Sequence, residues 1–190
     1  MDAIFLQQAQ IDLSKFNTGD YNAGPLWKIA LWYLVSYLFF DSGLAYPSNF
    51  KRNLLILFGA KVGKGIVVKP HVRIKYPWKL SIGENSWLGE SVWIENFVDV
   101  EIGNNVCVSQ GAMLLTGNHD YKVESFPYRF GSIVLEDGVW IGAKSVVCPG
   151  VVCESHAILT VNSVTSKTLE AGGVYSGNPA TYVRARNMIG

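Results

Sequence analysis

One histidine lies where its side chain could take part in a proton transfer. His119 stands between Asn118 and Asp120, within residues 116–132, which interrupt an otherwise regular hydrophobic pattern. A free imidazole has a pKa of about 6.5, so it can accept a proton at neutral pH. Because the pattern stops here, we expect the side chain to leave the fold and face a cleft. We predict that His119 is a general base; an ordinary hydrogen-bonded loop histidine is the alternative.

The remaining histidines and the cysteines do not indicate a metal site. The chain has three of each, which are His71, His119, His156, Cys107, Cys148 and Cys153. The histidines occupy positions of the hydrophobic pattern that do not meet, whereas a catalytic zinc site needs several ligands together. The cysteines are odd in number and lack metal-ligand spacing. We therefore expect free thiols, a reducing compartment and no bound metal.

The elements that must position His119 are indicated by a hydrophobic residue at every sixth position. The anchors are Val62, Val68, Ile74, Ile82, Leu88, Ile94, Ile102, Val108, Leu114, Leu135, Ile141, Val147, Cys153, Leu159 and Thr165. Four residues after most anchors stands a second residue suited to the interior, such as Ile66, Val72, Val92, Val106, Ala112 and Val139. Glycine follows the anchor at Gly63, Gly83, Gly89, Gly103 and Gly142.

This spacing predicts short strands joined by tight corners. The second inward residue and the next anchor are two apart, so on an extended strand they face one side. The step from anchor to second residue breaks that period, and we expect the glycines to give the corner its backbone freedom. Every third anchor recurs after 20 residues (62 to 82 and 82 to 102) or 18 residues (135 to 153). The interpretation is an all-β fold, a triangular parallel β-helix of about five coils with a protruding loop.

The flanking segments complete three regions, 1–57, 58–170 and 171–190. Residues 26–40 are apolar on nearly every helical face, and they are shorter than the roughly 20 residues that cross a bilayer. They are interpreted as a helix that closes the first coil and joins a subunit contact, or as an interfacial membrane anchor.

We expect no signal peptide at the N-terminus. Sixteen Lys and Arg residues nearly balance fifteen Asp and Glu residues, which argues against a nucleic-acid partner.

Residues 58–186 resemble the hexapeptide-repeat acyltransferases. The narrower likeness lies in residues 106–112, in Thr-Gly-Asn-His-Asp-Tyr at 116–121, in residues 137–143 and in Gly-Asn-Pro-Ala at 177–180. Within that group the chain is most similar to the maltose, galactoside and nodulation O-acetyltransferases, and above all to the colanic acid biosynthesis acetyltransferases. The resemblance implies a left-handed β-helix, a homotrimer with active sites between subunits, and acetyl-coenzyme A as the acetyl donor. It also implies direct transfer, with His119 as the base.

Further site residues come from the same resemblance. For the acceptor we predict Asn118, Asp120, Tyr121, Tyr128, Glu90 and Asn96. Aromatic faces suit sugar rings, although Tyr121 and Tyr128 could instead hold the loop against a neighbouring subunit. Asp120 could orient the imidazole, touch the acceptor or be solvated. Glu90 and Asn96 could instead lie on a solvated outer face of the column. For coenzyme A we predict Trp140, Gly142, Ala143, Thr160, Ser166, Lys167, Arg184 and Arg186. The two arginines would pair with phosphate, or be solvated.

The function predicted from these observations is acetyl-coenzyme A-dependent O-acetylation of a sugar in exopolysaccharide biosynthesis. We expect a cytoplasmic protein, associated with the inner face of the membrane if residues 26–40 form an anchor. An antibiotic acetyltransferase of the same fold and a non-catalytic trimeric scaffold are the alternatives. A zinc enzyme of the carbonic anhydrase type is disfavoured, because it needs three histidines in one place.

Overall fold

A computed structural model describes residues 10–188. Residues 1–9, where no signal peptide is expected, and residues 189–190, at the end of the predicted third region, lie outside the described part. The described part begins at residue 10 with an irregular lead-in, followed by two helices, α1 (Leu26–Phe39) and α2 (Ser48–Leu57). Only α1 was predicted. No helix within residues 10–188 is long and apolar enough to cross a membrane.

Between the helices and residue 188, the structure describes nineteen short strands. They are β1 (Lys61–Val62), β2 (Val67–Val68), β3 (Arg73–Ile74), β4 (Leu80–Ile82), β5 (Trp87–Leu88), β6 (Trp93–Glu95), β7 (Val100–Ile102), β8 (Cys107–Val108), β9 (Met113–Leu115), β10 (Gly117–His119), β11 (Tyr128–Phe130), β12 (Ile133–Leu135), β13 (Trp140–Ile141), β14 (Val146–Val147), β15 (Val152–Cys153), β16 (Ile158–Leu159), β17 (Val164–Thr165), β18 (Gly173–Gly177) and β19 (Ala180–Ala185).

Three stacked sheets make the sides of a triangular column. The first sheet has the order β1-β4-β7-β12-β15, the second β19-β18-β16-β13-β8-β5-β2, and the third β17-β14-β9-β6-β3. Neighbouring strands of successive coils pair in parallel, and β18 and β19 form an antiparallel end. The predicted parallel β-helix is confirmed. Its five coils are complete, and Leu169 with β18 starts a sixth.

The hydrophobic pattern fills the inside of the column. Fourteen of the fifteen anchors are buried, and Val62, at the open end of the first coil, is half-buried. The stacked apolar side chains form one continuous core from Trp32 to Tyr175. Burial of these side chains supplies the main stabilisation of the column, so the repeat gives a rigid support for whatever projects from it.

The corner chemistry differs from the prediction. The glycines that follow the anchors do not have positive φ values; a Cβ at Gly83, for example, would lie 2.5 Å from the backbone of Gly103 in the next coil. These positions are glycine because the corners of successive coils are in contact and leave no room for a side chain. The left-handed conformation lies three residues after the anchor instead, at Gly65, His71, Asn85, Ser91, Asn105, Gly111, Gly138, Lys144, Gly150, His156 and Asn162. That residue makes the turn between sides.

The two helices close the open end of the first coil. Trp32 of α1 is fully buried and donates its indole N–H to the carbonyl of Ile74 at 2.8 Å. Its ring packs edge-on against Phe40 and in a tilted geometry against Phe58. Leu55 of α2 is buried in the same core. These helices and the residues that join them are called the end cap below.

Candidate functional site

His119 is carried by a hairpin that leaves the column at one corner. Strands β10 and β11 pair antiparallel, with His119 opposite Tyr128 and Asn118 opposite Arg129. The hairpin departs after β9 of the third sheet and returns before β12 of the first sheet. It therefore stands at the corner between these two sheets, supported by rigid coils below and above.

The orientation of the imidazole is set by a backbone carbonyl. His119 Nδ1 lies 2.8 Å from the carbonyl oxygen of Phe126, and the Phe126 ring stacks on the imidazole at 4.3 Å and 10°. A carbonyl oxygen accepts hydrogen bonds and donates none, so Nδ1 carries the proton of the neutral ring. Nε2 is then left with its lone pair, which is the state that a general base requires.

Aromatic rings hold the hairpin in place from behind. Phe16 of the lead-in lies 5.8 Å from the His119 ring and 5.1 Å from Tyr128, edge-on. Tyr21 packs on Phe130 at 4.7 Å, and its burial raises the pKa of its hydroxyl well above the usual range. Phe16, Tyr21, Tyr128 and Phe130 form an aromatic cluster behind the histidine. Its apolar contacts fix the hairpin and, through it, the imidazole.

The lead-in is also tied to the hairpin by polar contacts. The Asp12 N–H donates to the carbonyl of Glu124 at 2.9 Å, and Lys15 Nζ donates to the Glu124 carboxylate at 2.7 Å. Nothing in the sequence pattern predicted that residues 10–21 reach the histidine. The contacts join residues about a hundred positions apart, which a local pattern does not reveal.

A cavity of about 370 Å³ opens beside the histidine. It is lined by Asn118, His119, Tyr121, Arg129, Phe130, Gly131, Cys148, Pro149, Gly150 and Ser166. Four of these were predicted site residues, and Arg129 and Cys148 were missed. Arg129 is the one charged side chain of the lining, and within residues 10–188 it forms no ion pair. The cavity thus joins a base, a tyrosine face and one cation.

The side chain of Asn96 is inaccessible to a ligand, which corrects one acceptor prediction. Its side chain is fully buried. Its amide donates to the carbonyls of Tyr76 at 2.6 Å and Lys79 at 3.2 Å, and its carbonyl accepts from the Tyr76 N–H at 3.0 Å. The two-residue insertions after Ile74 and Ile94 distort the corner, and Asn96 bonds the two distorted turns together. The prediction was wrong because a buried corner was taken for an outer surface.

Two loop residues named as acceptor candidates make contacts within the chain. A carboxylate oxygen of Asp120 accepts from the Lys122 N–H at 3.0 Å and closes a turn, while the Phe126 carbonyl orients the imidazole. Tyr128 does not line the cavity. Its ring lies in the aromatic cluster, so it holds the loop against the lead-in of its own chain. The remaining acceptor candidate, Glu90, is exposed at another corner of the column.

Most residues predicted to bind coenzyme A lie away from His119 within one chain. Trp140 projects from β13, and Gly142, Ala143 and Thr160 follow β13 and β16 at the corner between the second and third sheets. None of these four lines the cavity beside His119. The Trp140 indole is exposed, and its N–H donates to Ser109 Oγ at 2.9 Å. One chain therefore presents two separate surfaces.

The C-terminal cations occupy a third position. Arg186 Nη1 donates to the carbonyls of Gly138 at 2.8 Å and His156 at 3.2 Å, at the corner between the first and second sheets. Arg184 on β19 is exposed. Lys167 is exposed next to Ser166, which does line the cavity. Of the three cations predicted to bind coenzyme A, only Lys167 thus adjoins the histidine of its own chain.

Comparison with known proteins places these features among acetyltransferases. The chain is 34% identical over 176 residues to the colanic acid biosynthesis acetyltransferase WcaF of Escherichia coli K12, covering 92% of this chain and 97% of that protein. It is 27% identical over 156 residues to the galactoside O-acetyltransferase of the same organism, covering 79% and 76%. No protein-family model matches the chain.

A solved structure shares the fold. The hexapeptide-repeat acetyltransferase VCA0836 of Vibrio cholerae O1 biovar eltor, in complex with acetyl-coenzyme A, superposes with a TM-score of 0.70 at 20% identity. The match covers 77% of this chain and 81% of that one. At this identity the likeness concerns the column itself.

Proposed function

Since this chain belongs to the family of hexapeptide-repeat acetyltransferases, we propose that it transfers an acetyl group from acetyl-coenzyme A to a sugar hydroxyl, with His119 as general base. The observation that carries the assignment is the hydrogen bond from Nδ1–H to the Phe126 carbonyl, which leaves Nε2 free beside a cavity. The relatives support the donor and the kind of acceptor: one is named for galactoside O-acetylation, and one fold neighbour holds acetyl-coenzyme A.

The reaction needs one proton to move twice. As the sugar oxygen attacks the thioester carbonyl carbon, Nε2 of His119 removes the hydroxyl proton. The tetrahedral intermediate then collapses with cleavage of the carbon–sulfur bond, and the imidazolium returns the proton to the departing thiolate. The products are the acetyl ester and free coenzyme A. Nδ1–H keeps its hydrogen bond to Phe126 throughout, and that carbonyl dipole stabilises the imidazolium.

We further propose that the complete site forms between subunits of a homotrimer. His119 and the cavity lie at one corner of the column, whereas Trp140, Gly142, Ala143 and Thr160 lie at another. Three columns that pack side by side would bring the first corner of one chain against the second corner of its neighbour. The cavity then supplies the base, and the neighbour supplies the small residues along which pantetheine can lie.

For the acceptor we propose a sugar unit of an extracellular polysaccharide, acetylated in the cytoplasm. Tyr121 offers an exposed aromatic face at the cavity, and Asn118 offers an amide. The similarity to a colanic acid biosynthesis enzyme along nearly its whole length supports this class of acceptor. A precursor linked to a lipid or to a nucleotide would fit, and the association with a membrane is argued in the next subsection.

The test of the base is replacement of His119. We expect His119→Ala to lower kcat by about a hundred- to ten-thousandfold, the range for loss of a general base. Acetyl-coenzyme A should still bind, as measured by calorimetry. Thiol release is followed across mono- and oligosaccharides, with His156→Asn as the matched control at a corner position. Turnover by His119→Ala at the rate of the unaltered protein would refute the assignment.

The test of the shared site uses two inactive variants. His119→Ala removes the base, and Ala143→Trp fills the surface proposed for the donor. If each site uses His119 of one chain and Ala143 of its neighbour, co-assembly of the two variants restores about a quarter of the sites, because random mixing makes one pair in four intact. If both residues served the same chain's site, the mixture would stay inactive.

A further inference from the structure

The end cap carries an apolar surface that the rest of the described chain does not cover. Helix α1 buries Trp32 and Ser36 against the first coil. Its other sides expose Trp27 by 69%, Leu34 by 56% and Tyr37 by 72%, together with Leu26, Leu31, Tyr33 and Leu38. Leu44, in the connection to α2, is also exposed. A contiguous apolar surface of this kind is uncommon on a monomer and marks an interaction site.

Charge is distributed unevenly between the end cap and the rest of the chain. Residues 21–83, which hold α1, α2 and the first coil, contain nine of the sixteen Lys and Arg residues and one of the fifteen Asp and Glu residues. No carboxylate stands between Asp41 and Glu84. The near balance of the whole chain therefore conceals a strongly basic end and an acidic remainder.

The cations surround the end of the column on all its sides. Lys61 lies on β1 of the first sheet, Lys64 and Lys69 lie at the two corners that follow, and Arg73 lies on β3 of the third sheet. All four are exposed. Arg73 borders the same cavity as Tyr33 and Tyr37 of α1, so the apolar and the basic surfaces are continuous.

We propose that the end cap docks on an anionic membrane surface. The 14 residues of α1 extend about 21 Å at 1.5 Å per residue, less than the roughly 30 Å of a hydrocarbon core, so the helix lies in the interface. Trp27, Tyr33 and Tyr37 have amphipathic rings suited to the headgroup level. The ring of cations then meets acidic headgroups, each of which attracts a nearby lysine or arginine.

The proposed trimer would present three end caps to the membrane. A three-fold rotation about an axis parallel to the columns leaves their direction unchanged, so all three end caps face one plane. Three weak contacts to one surface bind far more tightly than one. The docking itself rests on the end cap and not on acetyl transfer, so the two proposals can fail independently.

The test is flotation of the full-length protein with lipid vesicles. We expect binding to phosphatidylcholine vesicles that contain phosphatidylglycerol, weaker binding to pure phosphatidylcholine, and release by salt. A basic-ring variant (Lys61→Gln, Lys64→Gln, Lys69→Gln) and an apolar variant (Trp27→Ser, Leu34→Ser, Tyr37→Ser) should each bind at least tenfold more weakly. Both should keep acetyl transfer to a water-soluble sugar and the same oligomeric state.

Matched controls place the same changes elsewhere on the surface. Lys122→Gln, Lys144→Gln and Lys167→Gln remove three exposed charges away from the end cap, and Val161→Ser, Tyr182→Ser and Val183→Ser remove three exposed apolar side chains at the far end of the column. Binding that falls equally in the controls, or an absence of binding to acidic vesicles, would overturn the proposal. A smaller assembly formed by the apolar variant would overturn it too, because the surface would then be covered by a second copy of the chain.

Discussion

Replacing Asn96 separates a structural role from an acceptor-binding role. Asn96→Ala removes three hydrogen bonds and leaves the Tyr76 N–H buried without a partner, whereas the Tyr76 carbonyl keeps its hydrogen bond from the Lys79 N–H at 3.0 Å. The unsatisfied N–H costs about 1–3 kcal/mol and each of the two other lost hydrogen bonds about 0.5–1.5 kcal/mol, so we expect a loss of roughly 2–6 kcal/mol in the free energy of unfolding. For a chain of 190 residues each kcal/mol corresponds to about 2–4 °C in Tm. The expected fall is therefore on the order of 10 °C.

The assay is urea denaturation and calorimetry at matched protein concentration, with acetyl transfer measured on the folded fraction. Asn53→Ala, on the exposed side of α2, is the matched control and should change stability by less than about 0.5 kcal/mol. Asn96→Asp should be at least as unstable at neutral pH, because a buried carboxylate cannot donate to the two carbonyls. If Asn96→Ala unfolded normally but showed a raised KM for the acceptor, the structural role would be refuted.

Three further predictions concern the site and the core. Phe16→Ala should lower kcat roughly tenfold with little change in donor KM, because the ring supports His119; an unchanged kcat contradicts this. Burial raises the pKa of Cys153 to about 12, so its thiol should stay protonated at mildly alkaline pH. We expect it to resist alkylation by iodoacetamide in the folded protein, as measured by peptide mass mapping. Alkylation at the rate of the unfolded chain would contradict this prediction. Arg129 is the one charged side chain of the cavity lining, so it should pair with an anionic acceptor. Arg129→Ala should therefore reduce kcat/KM about tenfold more for sugars that carry a carboxylate or phosphate than for neutral sugars. An equal loss for both kinds of sugar would argue against an anionic acceptor.

The column was predictable because its signal is local and repeated. An anchor such as Ile94 or Leu114 faces the core in every coil, so one misread coil does not obscure the others. The left-handed corner residue was also present as a signal, three positions after the anchor, but it is filled by Gly, Asn, His, Ser or Lys and has no single residue type. The insertion that contains Asn96 broke the period, and there the sequence pattern failed.

The site was predictable only where it coincides with the interruption of the repeat. His119 and Tyr121 belong to the loop itself, whereas Phe16 and Cys148 reach the same place from distant parts of the chain. Such contacts depend on how the lead-in and later coils fold around the hairpin. Overall composition concealed the basic end in the same way, because an acidic remainder offsets its charge.

The lead-in connects the two surfaces to which we assign functions. From α1 it runs back along the column, where its carbonyls at Ala23 and Asn22 accept from Trp78 and Lys79, and it ends on the hairpin through Phe16 and Lys15. A rigid column alone would keep the end cap and the base at a fixed separation. The lead-in adds a direct covalent connection from α1 to Phe16, whose ring supports the imidazole. Any movement of α1 on docking would reach Phe16 through the lead-in, so vesicles that bind the end cap should change kcat in the unaltered protein more than in Phe16→Ala.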